Sequence, residues 1–227
     1  MSTCAPPASP PHVLETGDGA PVGAVLLAGG AGSRLGGRPK SLLELDGVPL
    51  IRRQLIALAD ARIGEVVVVL GHHAAAIEPV VAGFPVTVVH NRSPDDGQGS
   101  SVMTGLRALT AHHEAVIVAL ADQPMIRADD IVALIQAFRR RGVADMVTPR
   151  VDGLPGNPVM FSAALRDEWL AGSANATGRR WREAHPERLC WFDSDRHAYL
   201  IDIDTPEDME RFQQLTGHAL LWPPGLA

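Results

Sequence analysis

Residues 26–41 read LLAGGAGSRLGGRPKS and hold five glycines between positions 29 and 37, with Arg34 and Lys40 as cations. Glycine allows close backbone approach and positive φ, so successive N–H groups can point at phosphate oxygens. Arg34 and Lys40 would add the positive charge. A merely flexible loop of small residues would not call for cations among its glycines. Two common phosphate loops are excluded. A Walker A loop needs Gly before its Lys, and Pro39 stands there. A dinucleotide fingerprint needs Gly at position 35, which is Leu35, and an acidic end to the second strand, which runs Leu70-Gly71-His72.

Carboxylates follow further along. Asp122, in Leu120-Ala121-Asp122-Gln123-Pro124, closes an apolar run on the same expected sheet edge as the glycine loop. One or two carboxylates plus phosphate oxygens suit Mg²⁺; a helix-capping turn would also use an Asp there, and spacing alone leaves both open. In Asp202-Ile203-Asp204-Thr205-Pro206-Glu207-Asp208, strand alternation puts Asp202 and Asp204 on one face. Asp204 and Thr205 could instead simply begin the last helix, whose first turn takes Glu207 and Asp208. Asn91 to Ser101 leads into a helix, whose N-terminus can serve an anion, although capping alone would explain Ser100. Gly156-Asn157-Pro158 is a turn whose Asn can hydrogen-bond but not titrate. Thr177-Gly178-Arg179-Arg180 offers either cations for an anionic acceptor or a solvated helix face. His72-His73 and His112-His113 lack zinc-site spacing, and the second pair is expected to end a helix. No Gly-x-Ser-x-Gly elbow supports hydrolase chemistry.

The elements that must position these groups alternate. Near-continuous apolar runs at Val22–Ala28, Glu65–Leu70, Val86–His90 and Ala115–Ala121 predict strands buried on both faces. Between them Ile51, Leu55 and Leu58, then Val102, Leu106 and Leu109, then Ile131, Leu134, Ile135 and Phe138 repeat at helical spacing. The expected fold is therefore α/β, a mostly parallel sheet with helices on both faces in three layers. After Arg150 a turn-rich insertion precedes strands expected at Val159–Ser162, Arg188–Phe192 and Tyr199–Ile203. Helices are expected at Ala163–Leu170 and Thr177–Ala184, and from Pro206 behind a Thr205 cap. Residues 1–21, rich in proline, read as a disordered arm; 22–217 form one domain, and 218–227 a C-terminal tail. No internal repeat is present.

Composition narrows the partners. Twenty Lys and Arg against 26 Asp and Glu give a net charge of −6, which argues against nucleic-acid binding. No apolar run approaches a membrane span, and no secretory signal precedes the first strand. Two cysteines, Cys4 and Cys190, cannot build a disulfide framework. A cytoplasmic setting fits.

The pattern L-A-G-G-x-G-S-R-L-G followed by Lys resembles the signature of the nucleotidyltransferase superfamily, in particular its MobA-like branch, from Val22 to Leu215. That branch includes the cytidylyl- and guanylyltransferases that finish the molybdenum cofactor, and the resemblance implies a Rossmann-like nucleotidyltransferase fold. It implies that Leu27, Ala28, Gly29, Gly30, Gly32, Ser33, Arg34 and Lys40 wrap an NTP triphosphate, with Arg34, Lys40 and Asp122 catalytic. Gly71, Asn91, Gln98, Gly99 and Ser101 would border the base or ribose. Asp122 matches a D-x-P motif whose Asp binds Mg²⁺, and Asp204 or Asp202 would be the second ligand, Asp204 favoured. Gly156, Asn157, Pro158 and Arg179 would meet the acceptor, although the family motif is more often Gly-His-Pro. The acceptor implied is molybdopterin, with a client molybdoenzyme as a further partner. Leu27-Ala28-Gly29-Gly30 looks guanylyl-like, whereas Asp-Gln-Pro, Gly-Asn-Pro and Asp-Ile-Asp-Thr-Pro look cytidylyl-like, so CTP is favoured over GTP. The alternatives are a sugar- or polyol-phosphate nucleotidyltransferase and a non-catalytic cofactor-binding chaperone.

Overall fold

Val22–Ala28 is aliphatic throughout, and six of its seven residues are buried, as a strand covered on both faces must be. The computed structural model around it describes residues 2–4, 21–172 and 178–226, of the first three the backbone alone. The expectations for the rest of the proline-rich arm and for Thr177 fall outside the described residues. Ser2–Cys4, in that arm, forms strand β1.

From β2 (Val22–Ala28) the chain runs through 3-10 turns at Ser33–Leu35 and Lys40–Leu42 into the two-residue strands β3 (Glu44–Leu45) and β4 (Val48–Pro49). Helix α1 (Leu50–Asp60), β5 (Glu65–Leu70), α2 (Ala74–Val81) and β6 (Thr87–His90) follow, then α3 (Gln98–Ala108), β7 (Ala115–Leu120) and α4 (Ala128–Arg139). The second half adds β8 (Met146–Val151), β9 (Leu154–Pro155), β10 (Val159–Ser162), α5 (Ala163–Ala171) and α6 (Arg179–Ala184). It ends with β11 (Leu189–Asp193), α7 (Pro206–Thr216) and β12 (Leu220–Leu221).

Among the described residues the main sheet has nine strands, eight of them in the order β1-β11-β8-β10-β7-β2-β5-β6, with β9 pairing β8. Only β10 on that path runs antiparallel to its neighbours, so the sheet is mostly parallel as expected. Alternation in β2 sends Ala24, Leu26 and Ala28 into a core with α1, α2 and α4. Val25 and Leu27 enter a second core with α3, α5 and α6. Helices thus cover both faces, giving three layers. A third core, built from Leu35, Leu43, Leu45, Leu50, Ile203, Phe212 and Leu220, sits under the glycine loop. It is roofed by a small sheet in the order β12-β3-β4. No helix among the described residues is long and apolar enough to cross a membrane.

Two expectations are corrected, and one strand is added. Tyr199–Ile203 is not a strand: a 3-10 turn covers His197–Tyr199, and no ladder follows. The Tyr199 carbonyl accepts from Asn157 N at 2.9 Å and from the Gln123 side chain at 3.3 Å, so its backbone bonds go to loops. Met146–Val151 is a strand that the pattern concealed, because Pro149 interrupts it. His112-His113 does not end a helix, since α3 stops at Ala108.

Candidate active site

Strand β2 lies between β5 and β7. The chain moves outward from β2 to β5 and β6, then returns to β7 on the other side of β2. Loops leaving β2 and β7 therefore diverge, the switch point where open α/β sheets form their ligand crevice. A bond from Ala121 N to Leu27 O at 3.0 Å continues the contact to the strand ends. The Gly29–Lys40 loop and Asp122 thus open side by side.

A cleft of about 280 Å³ lies there. Its glycine-loop wall is Leu27, Gly29, Gly30 and Lys40, and its acidic wall is Asp122, Asp202 and Asp204 beside Leu120. Pro94, Gly97, Gln98 and Ser101, at the start of α3, form the third wall. An 11-residue helix thus turns its N-terminus toward the cleft, the favourable end for an anion.

The loop needs its glycines at identifiable places. Gly32 has φ +63°, and a Cβ there would lie 1.9 Å from the Arg38 carbonyl oxygen. Its own carbonyl accepts from Leu35 N and Gly37 N at 2.8 and 2.9 Å, which curls the loop. A Cβ on Gly71 would meet the Gly29 carbonyl oxygen at 2.5 Å, so Gly71 packs against the loop from behind rather than lining the cleft. His73 Nε2 donates to Ala31 O at 2.9 Å. Ser33 is exposed on the curl, and Ala28 is buried beneath it.

Charge concentrates where the walls meet. The Lys40 ammonium bridges Asp122 and Asp204, with 2.5 Å to Asp204 Oδ1. Arg34 Nη2 reaches Asp204 Oδ2 at 2.5 Å from a side chain that is 64% exposed. Burial works against the Lys40 charge, but Asp122 and Asp204 outweigh it and hold its pKa above 10.5. Burial also opposes the Asp204 charge, yet Lys40 and Arg34 keep that carboxyl below the usual range. Asp202 lacks such partners. Burial and the charges of Asp122 and Asp204 push its pKa up. Asp122 is buried, and its Oδ1 has no hydrogen-bond partner among the described residues. Asp202 and Asp204 do face one site as expected, although from an irregular segment rather than a strand.

Other expected contacts sit behind the walls. Asn91 is buried: its Nδ2 donates to Ser100 Oγ and Ser101 Oγ at 2.8 and 2.9 Å, and its Oδ1 accepts from Ser93 N at 3.0 Å. It folds the loop onto α3 instead of lining the cleft, as does Gly99 in the first helical turn. Gly156 is pressed against Tyr199, whose carbonyl oxygen would stand 2.6 Å from an added Cβ. Asn157 accepts through its backbone oxygen from Gln123 Nε2 at 3.3 Å, so Gly156-Asn157-Pro158 braces the acidic wall from below. Arg179 is exposed and pairs with Glu183 at 2.7 Å within α6, and it does not line the cleft. Sequence reasoning missed Pro94, Gly97 and Leu120, and it missed the buried amide of Gln54 behind Asp122. Gln54 could have been noticed as a polar residue inside an apolar stripe.

Residues 24–189 match the MobA-like NTP transferase domain. The nicotine blue oxidoreductase of Paenarthrobacter nicotinovorans is 31% identical over 193 residues, covering 82% of this chain and 94% of that protein. The bifunctional IPC transferase and DIPP synthase of Rubrobacter xylanophilus is 32% identical across 86% of this chain, which spans only 52% of that longer protein. Among solved structures, a nucleotidyl transferase from Methanothermobacter thermautotroptrophicus superposes with a TM-score of 0.71 at 27% identity, covering 87% of this chain and 98% of that one. The glycine loop, the carboxylates at the switch point and these likenesses agree: the chain belongs to the MobA-like NTP transferase family.

Proposed function

We propose that this protein transfers a nucleoside monophosphate, CMP in preference to GMP, from an NTP to the phosphate of a molybdopterin-type acceptor and releases pyrophosphate. The observation that carries the reading is Lys40, which ties the phosphate loop to Asp122 and Asp204 at one point. A cation fixed between two carboxylates beside a glycine-rich loop suits a polyphosphate. The acceptor and base rest on the resemblance of Asp122-Gln123-Pro124, Gly156-Asn157-Pro158 and Asp202 to Pro206 to the cytidylyl branch.

Mg²⁺ fits the residues present. Asp122 and Asp204, or Asp202, offer hard oxygen donors, and Asp122 Oδ1 is buried without a partner. Among the described residues no ready-made group of three metal-binding side chains exists, so such an ion takes its remaining ligands from water or substrate. When bound, Mg²⁺ would neutralise charge shared between the carboxylates and the phosphates.

The chain's own residues do the remaining work. Arg34, largely exposed, exchanges Asp204 for triphosphate oxygens as the NTP enters. Lys40 stays protonated and anchors the phosphates against the acidic wall. An oxygen of the acceptor phosphate attacks the α-phosphorus in line. The new P–O bond forms as the bond to the bridging oxygen breaks, and pyrophosphate departs with that electron pair. The attacking oxygen is already ionised, so no general base is required. Catalysis is positioning plus stabilisation of charge on the α-phosphoryl oxygens.

The test is pyrophosphate release from each of the four NTPs with Mg²⁺ and molybdenum-loaded molybdopterin. Release with CTP, and more weakly with GTP, supports the proposal. Release only with sugar or polyol phosphates keeps the transferase and replaces the acceptor. Tight cofactor binding without turnover would favour the chaperone. Electron transfer without any pyrophosphate release would overturn the transferase reading and align the chain with its oxidoreductase relative.

A further inference from the structure

Helix α1 places an amide where its apolar stripe should continue. Ile51, Leu55 and Leu58 recur at helical spacing, and Gln54 lies on the same face, 0% exposed. A buried amide is unfavourable unless its groups are hydrogen-bonded. Gln54 is only half satisfied: its Nε2 donates to the Gln123 carbonyl at 2.5 Å, whereas its Oε1 is buried with no partner among the described residues. A leucine or methionine would fill the same space without an orphaned oxygen. Packing therefore does not account for an amide at this position, and the single bond it makes points to its use.

That bond ends beside Asp122. The Gln123 side chain is itself 1% exposed, and it donates to the carbonyls of Asn157 and Tyr199 at 3.3 Å each. Its Oε1, too, is buried without a partner. The Asp122 carbonyl accepts from Ile203 N at 3.2 Å. The two peptides that flank Gln123 are thus gripped, the one after it by α1 and the one before it by the segment that carries Asp202 and Asp204. Removing the Gln54 donor leaves the Gln123 carbonyl buried and unpaired, and the peptide must turn to find another.

We infer that Gln54 is a positioning residue that fixes the Asp122 carboxylate relative to Asp202 and Asp204 through the Gln123 peptide. The inference rests on the transferase reading above and names a residue behind the same site. It touches neither substrate nor metal. A displacement of about 1 Å at a reacting centre can cost about 10²-fold, so a buried amide one residue from the carboxylate is well placed to matter.

The experiment uses the full chain with Gln54→Met and Gln54→Leu, two substitutions of similar volume, so that one can report if the other fails to fold. Three quantities are compared with wild type: the thermal midpoint, the Mn²⁺ dissociation constant in the presence of a non-hydrolysable NTP analogue by electron paramagnetic resonance, and kcat with NTP KM for pyrophosphate release. The expected result is a midpoint at or near wild type, Mn²⁺ binding weakened several-fold, kcat reduced about 10- to 100-fold, and NTP KM little changed. A residue that served only folding would not separate these readouts. Wild-type Mn²⁺ affinity and kcat in a folded variant would overturn the inference alone. A wild-type protein that neither binds Mn²⁺ with the nucleotide nor releases pyrophosphate would overturn the transferase reading, and this inference with it.

Discussion

The two ends of the central sheet each hold carboxylate and base in close contact, and they are finished differently. At the N-terminal end of β5, Glu65 accepts from Thr110 N at 3.0 Å, from Ala111 N at 3.0 Å and from Thr110 Oγ1 at 2.9 Å. His113 Nε2 lies 3.2 Å from the same carboxylate, and its ring fills the space that the missing side chain of Gly23 leaves. Both Glu65 oxygens are satisfied. At the other end, Asp122 has one oxygen on Lys40 and one on nothing, with Asp202 and Asp204 nearby. A carboxylate that spends every lone pair within the fold is a fastening. A buried one that keeps an oxygen in reserve beside two others stores repulsion that a cation or a ligand's partners relieve.

The contrast yields opposite mutational signatures, and the largest effect belongs at the cleft. Asp122→Asn keeps the shape and removes the charge, so the protein should fold with a thermal midpoint at or above wild type. Turnover should fall about 10²–10³-fold or more, as when a preorganised electrostatic group is lost. Steady-state pyrophosphate release together with a melting curve checks both halves. Near-normal turnover would break the comparison at its functional end. Lys40→Met comes next: kcat/KM for the NTP should drop by about 2–4 kcal/mol of transition-state stabilisation. The substitution leaves Asp122 and Asp204 facing each other, so affinity for a divalent ion should not weaken. Loss of metal affinity alongside kcat/KM would show that Lys40 organises the acidic wall instead of acting on phosphate.

At the opposite end, stability should respond and chemistry should not. Glu65→Gln presents an amide –NH₂ to exposed backbone donors that need an acceptor, leaving at least one N–H to water instead of a carboxylate. The expected loss is about 0.5–1.5 kcal/mol of unfolding free energy, read from urea denaturation at pH 7.5. Turnover per folded molecule should match wild type. A matching drop in kcat would mean that the two ends are coupled through β2, β5 and β7, and the division between fastening and function would fail.

The same contrast explains what could be read from residue order. That the glycine loop and Asp122 share one cleft was legible, the loop because glycines and cations at fixed spacing have few other uses, and Asp122 because it closes an apolar run. The sheet was legible because buried parallel strands are continuously apolar. What escaped depends on contacts distant in sequence. Pro149 hid β8, whose ladder partners lie in β10 and β11. Tyr199–Ile203 has the letters of a strand, but Gln123 and Asn157 take the Tyr199 carbonyl and Asp122 takes the Ile203 amide. The two-residue strands β3, β4 and β12 are shorter than any period can reveal. Gln54 was visible only as an exception to its own stripe. Its meaning required Gln123, 69 residues away.

The smallest effect concerns acid. Burial would raise the Glu65 pKa, but the N–H groups of Thr110 and Ala111, helped by His113, hold it below 4.5. Burial lowers the His113 pKa below 6.5, opposed by Glu65 and reinforced by Arg166 and His112. In both cases the unfolded chain takes up protons more readily than the folded one, so stability rises with pH. The His113 contribution is complete above pH 6.5 and is lost as pH falls toward its folded value, whereas Glu65 contributes above pH 4.5 and fails only below that. Unfolding free energies at pH 7.5, 6.5, 5.5 and 4.5 should therefore decline on acidification, first through His113. His113→Gln removes that proton uptake, so the difference between wild type and variant should hold from pH 7.5 to about 6.5 and shrink as pH drops below that. The titration is confined to the fastened end, and it predicts no change in the metal requirement of turnover. A difference that stays constant across the series would mean that His113 has the same proton affinity folded and unfolded, and that the ring is seated by shape against Gly23 rather than by its charge state.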